Sequence, residues 1–457
     1  MTQRLDAIRE CLEGAVPGIM ATCAADGTPN VAYLSQTEYV DGRHIALSYQ
    51  FFNTTRRNIL ENPEARLIVT HPHTGERFRL RLRYLRTETA GPLFERMKAK
   101  LAGIASHTGM SGVFRLLGSD IYRVSEIERI PGAALAPPPP RASLLAALRA
   151  VSARIACCRE LDLLFAETLA GLEAQFDIRH AMVLLLDGSG SRLYTIASRG
   201  YEASGVGSEI PLGQGVIGVA AREGTPIRIG YATLEYAYGR AIRAATEASG
   251  LADALETEIP LPGLADSASQ LAVPIRAAGR LLGVLYVESP HNLRFGYDDE
   301  DALVALAGQL GAATLALQQA SELQEEVLVP EPPPQSSAGR PVVVRHYAGD
   351  DSVFLDDDYL IKGVAGSIFW ALVRDHVDTG RSTFSNRELR LDPRIRLPDL
   401  SDNLEARLIL LRRRLNEREA CVRLEKAGRG RLLLTASRPL TLVEAGQGGA
   451  RADGAGC

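Results

Sequence analysis

Two proline runs, Ala136 to Pro140 and Val329 to Pro334, constrain this chain more than any other feature. A run of prolines fixes φ and removes amide donors, so neither stretch can sit inside a helix or a sheet. The runs act as extended spacers between independently folding units. At 457 residues the chain has length for about three such units. The boundaries follow: 1–135, a linker at 136–142, 143–328, a second linker at 329–340, 341–445, and a Gly/Ala-rich tail at 446–457 expected to be disordered.

Hydrophobic residues make up 46% and charged residues 23%, ordinary for a globular protein, and the net charge of -4 gives no global attraction to nucleic acid. Positive charge is instead local. From Asn403 to Arg438 ten Lys/Arg stand against four Asp/Glu. The six cysteines form no C-x-x-C pair and lie near no histidine pair at zinc spacing, so no metal site is expected and reduced thiols in a cytoplasmic protein are. The N-terminus lacks a signal-peptide core, and no run approaches ~20 apolar residues, so neither export nor a membrane span is expected.

In the first unit a short helix at Leu5–Glu13 precedes the hairpin Gly18–Cys23 and Asn30–Ser35, turned at Asp26-Gly27. Further strands are expected at 36–40, 44–49, 66–70, 78–86 and 119–127, with helices near 55–61 and 92–104; many strands and few helices suggest a small barrel. The segment SYQFFNTTRRNILENP, Ser48 to Pro63, is a strand end feeding a helix, and it brings hydroxyls, amides and guanidinium groups together where a phosphate is best met. This unit resembles the FMN-binding split barrel of the pyridoxamine-phosphate-oxidase-like superfamily over Gly18 to Ile130. The resemblance implies a flavin phosphate held by Gln50, Asn53, Thr54, Thr55, Arg56 and Arg57. Split barrels also hold haem, deazaflavin or nothing, and these alternatives stay open. His71 and His73 at a strand end suit haem or metal, or else water-exposed loop histidines. The Arg/His strand with which the oxidases close over substrate is absent, so turnover of the vitamer is not expected.

The second unit is expected to begin with one amphipathic helix, Leu144 to Phe176, and to end with another from Asp298 to about Leu328. Strands between them, with a hairpin turned at Ala277-Ala278-Gly279-Arg280, make an α+β sandwich. LGQGVIGVAAREGTPIRI (Leu212 to Ile229) and SQLAVPIRAAGRLLGVLYVES (Ser269 to Ser289) resemble a GAF domain. That resemblance implies a small-ligand pocket under the sheet, with Tyr236, Tyr238 and Arg240 as candidate contacts. Leu144, Leu148, Val151 and Ile155, with Leu303, Leu306 and Leu310, lie at helical spacing and suggest a homodimer seam, or packing on their own sheet.

In the third unit Leu404, Leu408, Leu411 and Leu415 recur at four, three and four residues on one helix side, with Arg407, Arg412, Arg413 and Arg414 around the rest. A hairpin follows, turned at Ala427-Gly428-Arg429-Gly430 and flanked by Arg431. A basic helix and a basic wing can grip a duplex, the helix in the major groove and the wing on phosphate. The stretch from Pro341 to Glu444 resembles the winged-helix output domain of OmpR-like response regulators, which implies DNA contacts from Arg407, Arg412, Arg413, Arg414, Arg429 and Arg431. The outer face also carries Ile409 and Leu410, which suit thymine methyls or a protein partner.

The expected fold class is therefore multidomain α+β: split β-barrel, GAF sandwich, winged helix-turn-helix. The expected function is a one-component sensory transcriptional regulator, with the barrel and GAF unit governing a DNA-binding winged helix. The alternatives are a flavin-dependent oxidoreductase with regulatory and interaction domains, and a signalling scaffold whose winged helix binds protein. No catalytic residues are assigned, because no nucleophile with an arranged base, Walker loop or dinucleotide fingerprint is present.

Overall fold

The computed structural model describes residues 4–445 apart from 14–15, 35, 50–52, 92, 99–100, 102–115, 138–142, 231–258, 323–338, 396, 398–403 and 429. In the first unit a 3-10 helix, Leu5–Leu12, precedes β1 (Gly18–Cys23), β2 (Pro29–Leu34), β3 (Thr37–Asp41), β4 (His44–Tyr49), α1 (Asn53–Glu61), β5 (Glu64–Thr70), β6 (Arg77–Glu88) and β7 (Gly118–Ile130). The strands form one seven-stranded sheet in the order β2-β1-β5-β6-β7-β4-β3. Along β6 the side chains alternate out and in, placing Phe78, Leu80 and Leu82 in the core. The β1–β2 reversal uses Gly27 at φ 90, a conformation costly for any residue with a Cβ, and Asp26 accepts from the Thr28 amide at 2.9 Å.

The second unit holds α2 (Leu144–Ala156), α3 (Leu161–Phe176), β8 (His180–Leu186), β9 (Arg192–Arg199), β10 (Glu209–Pro211), α4 (Gly215–Glu223), β11 (Ile227–Ile229), β12 (Ser269–Ala277), β13 (Arg280–Ser289) and α5 (Tyr297–Glu322). Its six-stranded antiparallel sheet runs β10-β9-β8-β13-β12-β11. One face packs on α2, α3 and α5; the other packs on α4. The single helix expected over 144–176 is two helices. The first stops at Cys157, and the chain restarts after Glu160, so that α2 and α3 present their apolar sides to one core. They approach closely at Gly171, where a Cβ would stand 2.8 Å from a Val151 methyl.

This packing also corrects the suggested dimer seam. Val151, Ile155, Leu303, Leu306 and Leu310 are buried together inside one chain, and Leu144 and Leu148 pack against them. By length and composition α5 could cross a membrane, but its apolar side is part of this core.

The third unit comprises β14 (Val342–Tyr347), β15 (Ser352–Leu355), β16 (Asp358–Ile361), α6 (Gly363–Thr379), β17 (Thr383–Ser385), α7 (Asn386–Leu391), α8 (Leu404–Glu417), β18 (Val422–Lys426), β19 (Arg431–Ala436) and β20 (Leu440–Ala445). Two small sheets form, β16-β15-β14-β20 and β17-β19-β18. The parallel pairing of β20 with β14 was not expected from the sequence. At the centre lies α6, whose Trp370 stacks on His346 with centroids 4.8 Å apart. At Gly366 the helix meets the Asp351 carbonyl so closely that a Cβ would lie 1.9 Å from its oxygen.

The units are not held apart. One apolar cluster runs from α2, α3 and α5 into α6, α8, β18 and β19. At the other seam Arg228 on β11 is bonded to Glu13 and, through Nε at 2.8 Å, to Glu300. Tyr297 donates to the Leu12 carbonyl at 3.2 Å, and the guanidinium groups of Arg9 and Arg228 lie over its ring at 4.2 Å and 4.4 Å.

Candidate functional site

In the first unit α1 begins shortly after β4, and its own first turn holds no acidic residue to offset the positive end of its backbone dipole. Gln50 and the side chain of Asn53 lie outside the described residues. Thr54 is exposed; Thr55 is buried and its hydroxyl accepts from Asn30 at 2.9 Å. Arg57 is exposed, whereas Arg56 turns inward. Its Nη1 donates to Asp120 Oδ1 at 2.7 Å and Thr87 Oγ1 at 2.6 Å, with its guanidinium 5.0 Å from the Tyr49 ring centre. Burial pushes the Asp120 carboxyl above its usual range, against the pull of Thr87 and Arg56.

A phosphate therefore fits this place in part. Thr54, Arg57 and the helix start are available to it, but the charge of Arg56 is already answered by Asp120. The sequence did not single out Asp120, because the pairing spans 64 residues and comes about through the β4–β7 ladder, with Thr87 brought in by the β6–β7 ladder. His71 bonds to Glu10 at 3.1 Å, and its Nδ1 accepts from the amides of His73 and Thr74. Among the described residues no three His, Cys, Asp or Glu groups converge as metal ligands.

In the second unit Tyr236, Tyr238 and Arg240 lie outside the described residues. The sheet face toward α4 nevertheless carries a polar feature that the sequence reading missed. Cross-strand register sets Gln270, Glu288 and His180 side by side on β12, β13 and β8. Glu288 is only 3% exposed; it accepts from the Leu264 amide at 3.1 Å and from Tyr286 at 3.3 Å. The Tyr201 ring lies against His180, tilted at 59° with centroids 5.6 Å apart, and burial, then the Glu288 charge, pushes its phenol up.

In the third unit the expected duplex-facing residues do not share a free surface. Arg413 donates from Nε to Asp162 on α3 at 3.0 Å and from Nη1 to the Ile196 carbonyl on β9 at 2.6 Å. Arg407 is buried, its guanidinium 4.1 Å from the ring centre of Tyr194. Arg414 is buried, with Nε donating to the Leu360 carbonyl at 3.1 Å and Nη1 to Glu417 at 3.2 Å; burial lowers its pKa. Ile409 and Leu410 are 1% and 3% exposed, and Leu410 lies against Gly207 of the second unit. The outer face of α8 is thus covered by α3 and β9, because its apolar residues gain more from burial than from water. Arg412 and Arg431 are half-buried, and Arg429 lies outside the described residues. Arg418 and Arg423, which the sequence reading did not single out, are exposed.

Comparison with known proteins gave two family matches. Residues 5–117 match the family model described as Pyridoxamine 5'-phosphate oxidase, and residues 160–314 match that of the GAF domain. A search of curated proteins gave no match. Among solved structures, the GAF domain of an Acinetobacter phosphoenolpyruvate-protein phosphotransferase is similar at 20% identity and TM-score 0.30, over 40% of this chain and 96% of that one. The free methionine-R-sulfoxide reductase of Neisseria meningitidis is similar at 23% identity and TM-score 0.30, over 40% of this chain and 98% of that one. An FMN-binding protein of Syntrophomonas wolfei is similar at 17% identity and TM-score 0.23, over 28% of this chain and 90% of that one. The chain thus joins a pyridoxamine 5'-phosphate oxidase-type barrel domain to a GAF domain, with a third unit docked on the latter.

Proposed function

We propose that this chain is a sensory regulator in which the barrel and the GAF domain govern a winged-helix unit that takes duplex DNA. The barrel takes a flavin-type cofactor, FMN, with Thr54, Arg57 and the start of α1 toward its phosphate. The order of β14–β16, α6, β17, α7, α8 and the β18–β19 hairpin supports the winged-helix reading. One observation carries the regulatory part: α8 is engaged by the GAF domain through Arg413 with Asp162 and Arg407 with Tyr194. A duplex and the GAF domain compete for the same arginines, so the described arrangement is the closed one. Ligand or redox change in the sensing domains would act by loosening this seam.

The test is fluorescence anisotropy of a labelled duplex with the full chain and with Asp162→Asn, over a salt series. The variant keeps Arg413 and loses the charge that holds it. It should bind about fivefold more tightly, the equivalent of about 1 kcal/mol for a half-exposed ion pair, and binding should weaken as salt rises. No duplex binding by either protein at low salt would overturn the DNA reading. A visible spectrum of freshly purified protein tests the cofactor: flavin bands support FMN, whereas a haem Soret band or a featureless spectrum refutes it.

A second reading has a specific observation behind it. The nearly complete burial of Ile409 and Leu410 suits an α8 that is a permanent protein-binding element with the GAF domain as its partner. The same titration separates the two.

A further inference from the structure

A cavity of about 450 Å³ lies where the GAF domain meets the third unit, walled by the start of α3, the end of α5, the start of α7, α8 and the β18–β19 hairpin. Four cations line it, Arg159, Arg412, Lys426 and Arg431, against two acids, Glu160 and Glu405. Lys426 Nζ answers both acids, at 3.0 Å and 3.6 Å. Arg412 reaches only the edge of Asp162, at 4.0 Å, and that carboxylate is bonded to Arg413. Four cations against two acids leave an excess of two positive charges in the wall.

Two polar atoms of the wall are buried without a partner: Arg431 Nε and Asn386 Oδ1. A buried guanidinium N–H without an acceptor is costly, and a flipped Asn386 amide would add a second donor. The remaining wall is apolar, with Leu317, Leu408, Ile409 and Leu432. The planar guanidinium forks of clustered arginines can each meet two oxygens of a phosphate, and the volume and apolar wall suit an organic body of drug or nucleotide size. We infer that this seam cavity binds a small organic phosphate of nucleotide size. Because it is walled by both units, a bound ligand ties the GAF domain to the hairpin and holds α8 docked. The inference goes beyond the regulator reading, and its binding test requires no DNA.

The probes are AMP and inorganic pyrophosphate, titrated calorimetrically into the full chain at physiological salt. One saturable site is expected, weakened at least tenfold in Arg431→Gln and in Arg159→Gln, and unchanged in Arg374→Ala, a surface arginine outside the cavity wall. Arg159 is exposed, so its variant folds whatever becomes of Arg431→Gln. The inference is overturned by no saturable binding of either probe or by unaltered affinity in Arg159→Gln. Loss of binding in Arg57→Ala alone also overturns it, by moving the phosphate to the barrel.

Discussion

Arg413 and Asp162 lie 251 residues apart in sequence and meet across the seam between the GAF domain and the third unit, Nε to Oδ1 at 3.0 Å. The carboxylate stands in the first turn of α3, where an acid is already favoured by the helix dipole.

The pair is only partly screened, with side chains 23% and 34% exposed. A double-mutant cycle on Asp162→Ala and Arg413→Ala should give a coupling of about 1 kcal/mol in urea unfolding. A coupling indistinguishable from zero would mean that apolar contacts alone hold the seam.

Arg228 is a harsher case. Its side chain is 4% exposed and faces Glu13 and Glu300, at 8% and 11%. Burial opposes its charge, but the two acids outweigh burial and its pKa is raised. Arg228→Met strands two acids beside each other, so stability should fall by about 3 kcal/mol. Arg228→Lys should recover part of that; a loss under ~0.5 kcal/mol for Arg228→Met would show that water reaches the acids.

Arg56→Ala removes the cation beside a nearly buried Asp120, and the cost should be about 2 kcal/mol at pH 7. Burial raises the Asp120 pKa, so the folded state holds its proton more tightly than the unfolded one. Stability from this group therefore falls as pH rises from 3.8 through the raised value, and losing Arg56 extends that window upward. Melting curves should show a smaller gap between variant and wild type at pH 4 than at pH 7. Arg57→Ala, at an exposed site, should leave the melting temperature unchanged.

Ser385 caps α7 in a reciprocal box, its hydroxyl accepting from the Glu388 amide at 3.1 Å while Glu388 accepts from the Ser385 amide at 3.1 Å. Ser385→Ala should cost about 1 kcal/mol. Burial alone would raise the Glu388 carboxyl, but the Ser385 amide and Arg381 outweigh it and hold it below 4.5. Its contribution is fully present above pH 4.5 and is lost as pH falls through the lowered value. In Glu388→Gln that acid-side slope should flatten in a pH series of thermal melts.

Local signals in the sequence were legible where period and turn chemistry act alone. The β1–β2 hairpin follows from Asp26-Gly27, and the inward stripe of α8 follows from Leu404, Leu408, Leu411 and Leu415, all buried as their spacing requires. The break between α2 and α3 was not legible, because apolar periodicity continues across Cys157 and nothing there forbids a helix. Nor was β20, a six-residue strand whose place is given by a parallel neighbour almost a hundred residues earlier. The same holds for the outer face of α8, where Arg407, Arg413, Ile409 and Leu410 read equally as a surface for DNA or for protein.

What the sequence by itself determined was most of the helices and strands and the kinds of group at each candidate site. Helix and strand periods and turn chemistry act over a few residues, and the order of residues records them directly. Which groups meet was decided only by the tertiary structure. Asp120 beside Arg56, Asp162 beside Arg413 and Glu13 beside Arg228 are contacts between remote segments. Charge pairing depends on distance and dielectric, and both are set by the packed fold rather than by neighbours along the chain.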